Sequence, residues 1–140
     1  MGLPVPAPGL VINFAYLWRH EFEAGAEEGR KVRPVLILAV GTAAVGSKRV
    51  TVVPLTHSEP SPGRGILVPR RVKEHLGLDA EASWIVIDDL NVFEWPGYDL
   101  VPIPGSAGTY AYGFIPARLF IAVRNAVAAK LPPPVPTPRS

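Results

Sequence analysis

The chain has 140 residues and a mass of 15.0 kDa, which suit one domain and leave no room for two cores of ordinary size. Apolar residues make up 48% and charged residues 19%, so we expect a packed core. The 17 prolines and 13 glycines exclude a bundle of long helices, and a net charge of +2 is too small to demand a nucleic-acid partner.

The chain contains no cysteine, which excludes disulfides, thiolate zinc sites and a cysteine nucleophile. No stretch approaches the ~20 apolar residues of a membrane-spanning helix, and the first 18 residues carry no Lys or Arg. We therefore expect a cytoplasmic protein with no signal peptide and no membrane partner.

Alternating or continuous apolar runs predict six short strands. They cover residues 10–18, 34–40, 49–55, 66–68, 84–90 and 99–103. Helices are predicted at 69–76 and at 116–130, the second because apolar residues recur there on one face. The stretch 19–32 is interpreted as a long charged loop, 56–65 as a loop, and 105–113 as a further loop.

These elements predict a mainly β, α+β domain: a small, strongly bent β-barrel with a C-terminal helix. Residues 1–9 form an extended lead-in, residues 9–131 the barrel domain, and residues 132–140 a proline-rich tail. Pro133 and Pro136 satisfy a P-x-x-P pattern, and we interpret the tail as stiff and disordered.

Familiar site motifs are absent from the sequence. It has no phosphate-binding loop, dinucleotide fingerprint or nucleophile elbow. His20, His57 and His75 share no ligand spacing, so we expect no metal and no cofactor. The basic cluster of Arg70, Arg71 and Lys73 is interpreted as a solvated helix face. The three tryptophans are assigned to the core without a binding role; they are Trp18, Trp84 and Trp95.

A candidate site lies at the open end of the predicted hairpin between residues 34–40 and 49–55. The start of the first strand lies opposite the end of the second, which places Arg33 beside Thr56. Pro34 holds Arg33 in an extended conformation. A guanidinium beside a hydroxyl and the imidazole of His57 is a plausible phosphate-binding group, and an imidazole exchanges protons near neutral pH.

The same residues resemble the PemK/MazF group of toxins from toxin–antitoxin systems. The matching features are a glycine opening the first strand at 9–12, Arg33-Pro34 followed by the aliphatic strand 35–38, and the Pro54-Leu55-Thr56 turn. They continue through 84–89 and 113–115 into the last helix, so the resemblance covers about residues 9–131.

The resemblance implies an SH3-like barrel that acts as a metal-independent endoribonuclease on single-stranded RNA, inhibits growth, and is neutralised by a cognate antitoxin. It also implies a homodimer. Arg33 and Thr56 are then the central catalytic pair, with Asp88 or Asp89 as an acidic partner. Proton transfer is assigned to His57 or an aspartate. RNA binding is expected from three further residues, Arg30, Lys31 and Ser58.

Two alternatives stay open. One is a catalytically degenerate member that binds RNA or an antitoxin without cleavage, since Leu90 and Asn91 stand where the family often has a polar and then a basic residue. The other is an SH3-like module that recognises protein segments.

Overall fold

The computed structural model describes residues 3–26, 31–97 and 99–139. Within them the protein is mainly antiparallel β-sheet with eight strands and three short helices. In chain order these are β1 (Leu10–Tyr16), α1 (Arg19–Glu23), β2 (Lys31–Thr42), β3 (Lys48–Thr56), β4 (Gly65–Leu67), α2 (Arg70–Leu76), β5 (Trp84–Val86), β6 (Asn91–Trp95), β7 (Ala111–Phe114), α3 (Ala117–Ala128) and β8 (Thr137–Pro138). The predicted small α+β fold is confirmed at this level.

Strand β3 is the centre of the sheet. The strand order is β4-β5-β3-β2-β1-β7, and β6 pairs with both β3 and β8. Strands β2 and β3 pair antiparallel, with Val35 opposite Pro54, as predicted. On its other side β3 pairs with β6 over residues 48–52 and with β5 at Leu55 and Thr56.

The core consists of two apolar clusters, and neighbouring residues of β2 belong to different ones. Successive side chains of a strand point to opposite faces. Leu36 accordingly packs with Val11 and Val53 in the first cluster, whereas Val35 and Ile37 belong to the second. The continuous apolar runs of the sequence thus correspond to strands buried on both faces.

The two longer helices begin and end close to the predicted positions. Helix α3 buries Val123 fully and packs Phe120 and Val127, both partly buried, against the first cluster. Helix α2 follows Pro69 and ends at Gly77, whose φ of +69° is a left-handed conformation that glycine adopts without strain. Within the described residues, no helix is both long enough and apolar enough to cross a membrane.

Several predicted boundaries were wrong. The charged loop 19–32 contains α1, because the Glu21 carboxylate accepts a hydrogen bond from the Trp18 backbone N–H at the helix start. The predicted strand 84–90 ends at Val86 as β5, and β6 (91–95) was not predicted. Strand 99–103 is reduced to a bridge between Leu100 and Phe14, and the loop 105–113 includes most of β7.

The proline-rich tail is also a correction, because residues 137–139 are packed onto the sheet. Strand β8 pairs parallel to β6, and Thr137 and Arg139 donate backbone hydrogen bonds to Leu90 and Val92. These two donors flank Pro138, so the N–H that proline lacks interrupts no bond. The Arg139 side chain is 2% exposed and donates to an Asp99 carboxylate oxygen at 2.6 Å. The proline content of the tail did not predict this strand pairing.

Candidate functional site

A cavity of about 600 Å³ opens where β2 begins and β3 ends. Continuing the β2–β3 register by two residues places Arg33 opposite Thr56, and both side chains line the cavity. Arg33 Nη1 donates to the Leu55 carbonyl oxygen at 3.4 Å. Lys31, His57 and Ser58 line the same cavity, whereas Arg30 lies outside the described residues.

Most N–H donors of the Arg33 guanidinium form no hydrogen bond with the described residues. Its carbon lies 5.1 Å from the centroid of the Trp18 ring, which is a cation–π contact. Trp18 packs against the second apolar cluster, as its assignment to the core predicted, but it also lines the cavity, which that assignment did not include. Arg33 Nε is buried without a hydrogen-bond partner, and Arg33 forms no ion pair with any described residue. Burial lowers the pKa of Arg33, an effect that the negative charge of Glu21 opposes.

Thr56 keeps a free hydroxyl proton. Its Oγ1 accepts a hydrogen bond from the Ser58 backbone N–H at 3.1 Å, which forms a local turn. Because the oxygen is the acceptor in that bond, the hydroxyl can still donate to a ligand oxygen.

His57 is paired with a carboxylate that the sequence analysis missed. Its Nε2 lies 2.9 Å from Asp79 Oδ2, and its Nδ1 lies 3.7 Å from Glu81 Oε2. Asp79 also contacts Lys73 Nζ at 2.7 Å. That hydrogen bond, with a further contribution from His57, lowers the pKa of Asp79. No local motif could have indicated this pairing, since 22 residues separate His57 from Asp79.

Lys73 corrects the interpretation of the basic cluster. Arg70 and Arg71 are exposed, but the Lys73 side chain is 6% exposed. Its amine donates to Asp79 Oδ1, to Ser83 Oγ at 2.8 Å and, in a very short contact, to the Glu81 carbonyl. The predicted solvated face of α2 is therefore exposed at Arg70 and Arg71 but not at Lys73.

The predicted acidic partners hold the scaffold together. Asp89 accepts from the Tyr16 hydroxyl at 2.6 Å and from the Arg19 backbone N–H at 3.2 Å. Burial is the main cause that raises the pKa of Asp89, although both hydrogen bonds oppose it. Asp88 pairs with Arg64 at 2.5 Å and does not line the cavity. Asp89 lines the cavity, but both of its carboxylate oxygens already accept hydrogen bonds.

One group of residues has the composition of a metal site. Within the described ranges, His57, Asp79 and Glu81 alone bring three potential ligand atoms within 4.8 Å of one another, and all three are exposed. The Lys73 ammonium already lies against Asp79. We therefore interpret this cluster as a hydrogen-bonded network around the Asp79 carboxylate and assign no metal to it.

Comparison with known proteins gives no family assignment. No protein-family model, curated protein or solved structure matches the chain.

Proposed function

We propose that the protein is a metal-independent endoribonuclease of the PemK/MazF toxin type, which cleaves single-stranded RNA and inhibits growth until an antitoxin binds it. The observation that carries the proposal is the Arg33 guanidinium. It is held by Trp18, keeps unused donors, and shares one cavity with a free hydroxyl and a carboxylate-paired imidazole. These groups are better suited to bind the phosphate oxygens of a phosphodiester than to bind a protein segment.

The reaction needs little from the protein because RNA supplies its own nucleophile. The 2′-oxygen bonds to phosphorus while the bond from phosphorus to the 5′-oxygen breaks. His57 accepts the 2′-hydroxyl proton, and the leaving 5′-oxygen takes a proton from solvent. The products are a 2′,3′-cyclic phosphate and a 5′-hydroxyl.

Charge stabilisation falls to Arg33 and Thr56. As negative charge builds on the phosphoryl oxygens, the guanidinium donates to them in its two-pronged geometry and the hydroxyl adds one further bond. Arg33 stays protonated because an arginine side chain does not lose its proton in proteins. We assign proton transfer to His57 because both aspartates are already bonded. The oxygens of Asp89 accept hydrogen bonds from Tyr16 and Arg19, and Asp88 forms an ion pair with Arg64.

We further propose the SH3-like barrel, the homodimer and the cytoplasmic setting that accompany this function. Support for the barrel comes from β3, which pairs with three strands as a strongly bent strand does. Support for a dimer comes from Phe114 and Ile121, apolar side chains that are 52% and 45% exposed. Lys31 and Ser58, with Arg30, would extend the RNA-binding surface around the cavity.

The experiment compares an RNA oligonucleotide with DNA of the same sequence, with a chelator present throughout. We expect the protein to cut only the RNA and to leave a 2′,3′-cyclic phosphate, detected by mass spectrometry. Cleavage of the DNA, or a requirement for added magnesium, would refute the mechanism. A folded protein that binds the RNA without cutting it would instead select the degenerate-binder alternative.

A further inference from the structure

A buried amine, that of Lys73, contacts the carboxylate that pairs with the imidazole of the candidate site. Lys73 lies on α2, and its three ammonium protons match three acceptors: Asp79 Oδ1, Ser83 Oγ and the Glu81 carbonyl. All three acceptors belong to the segment that joins α2 to β5. The ammonium therefore fixes that segment, and it holds one oxygen of Asp79.

Asp79 in turn contacts His57 through a single nitrogen. Its Oδ2 lies 2.9 Å from Nε2, and its Oδ1 lies 3.2 Å from the same atom. An ionised carboxylate only accepts hydrogen bonds, so this contact requires a proton on Nε2. In the neutral ring the other nitrogen, Nδ1, then carries the free lone pair.

We propose that Lys73 and Asp79 are positioning residues that hold the proton of neutral His57 on Nε2 and so make Nδ1 the nitrogen that exchanges protons with RNA. The inference rests on the proposed function for the identity of the substrate, but the position of the proton is a property of the free protein. The series of hydrogen bonds runs from the buried Lys73 ammonium through the Asp79 carboxylate to the His57 ring.

The charges around the ring agree with this assignment. Glu81 Oε2 faces Nδ1 at 3.7 Å, beyond hydrogen-bond distance, and its side chain is 74% exposed. It therefore does not occupy Nδ1 when the ring is neutral, and it offers a nearby negative charge once Nδ1 has taken up a proton. The Lys73 amine contacts the far side of Asp79 and donates no bond to the ring.

The first test is nitrogen-15 and proton NMR of His57 in the full-length free protein, at a pH where the ring is neutral. We expect the wild type to show a non-protonated Nδ1 and an Hε2 resonance shifted downfield by its hydrogen bond to Asp79. Asp79→Ala should lose this downfield shift, and Lys73→Met should reduce it. Two matched controls should retain it: Glu74→Ala, which removes an exposed carboxylate of α2, and Ser83→Ala, which removes a different partner of Lys73.

The second test is kinetic. Asp79→Ala should lower kcat for RNA cleavage by about 10-fold to 100-fold and leave KM unchanged, because the change misplaces a proton-transfer group without removing a phosphate contact. Asp79→Ala also removes the carboxylate partner of the buried Lys73 ammonium, so Asp79→Asn, which keeps an oxygen for Lys73 but removes the negative charge, is the second variant if Asp79→Ala or Lys73→Met fails to fold.

Three results would overturn the proposal: a neutral wild-type ring protonated on Nδ1, an unchanged Hε2 resonance in Asp79→Ala, or a folded Lys73→Met with the wild-type Hε2 shift. A protein that never cuts RNA but shows the expected resonances would refute the proposed function and leave the proton assignment standing.

Discussion

Replacing Arg33 by alanine should separate catalysis from stability. The side chain makes one long hydrogen bond of 3.4 Å and one cation–π contact, the latter contributing about 0.5–1 kcal/mol to folding. Removing it also removes the buried, unpartnered Nε, whose desolvation costs about 1–3 kcal/mol. These effects oppose each other, so the free energy of unfolding should change by no more than about 1–2 kcal/mol.

The rate should change far more. Losing one preorganised donor to a developing negative charge typically costs about 100-fold to 1,000-fold. Arg33→Ala should therefore lower kcat/KM for RNA cleavage by that factor, measured with a fluorescent oligonucleotide in the presence of a chelator. Arg33→Lys should recover only part of the activity, because an ammonium keeps the charge but loses the two-pronged geometry.

Arg64→Ala is the matched control. Arg64 lines the same cavity, but its guanidinium is committed to Asp88. Its removal changes the cavity charge by the same amount and should lower the rate less than 10-fold. A stable Arg33→Ala protein with wild-type activity would refute the proposed role, and equal losses in the two variants would show that only the net charge of the cavity matters.

Three further predictions concern stability, measured by chemical denaturation. Burial raises the pKa of Asp89 above its ordinary 3.8, so ionisation costs the folded state more than the unfolded state. Asp89→Asn should therefore gain stability relative to the wild type as pH rises above about 3.8, and the opposite trend would contradict this. Arg139→Ala breaks a buried ion pair and should lower the free energy of unfolding by about 3 kcal/mol, whereas Val135→Ala, at an exposed tail position, should change little. Gly77→Ala should cost about 1–2 kcal/mol because the position is left-handed; Gly41→Ala, without a positive φ, should not.

The sequence by itself determined the β2–β3 hairpin and the end of it that carries the site. Apolar runs separated by a short turn that contains glycine define an antiparallel pair, and the pair places Arg33 near Thr56 because the strands are close in sequence. The positions of α2 and α3 followed for the same reason, since apolar spacing, proline and glycine act locally.

Tertiary structure decided which charges are buried and what they contact. The pairing of His57 with Asp79, the enclosure of Lys73 and the docking of Arg139 onto Asp99 all join residues at least six positions apart that follow no repeating pattern. A buried charge is tolerated only when a partner reaches it, and that partner is supplied by the way the elements pack. Composition therefore indicated an exposed basic helix face and a free proline tail. In the folded chain, however, the cations of these two segments, Lys73 and Arg139, are buried and each contacts a carboxylate.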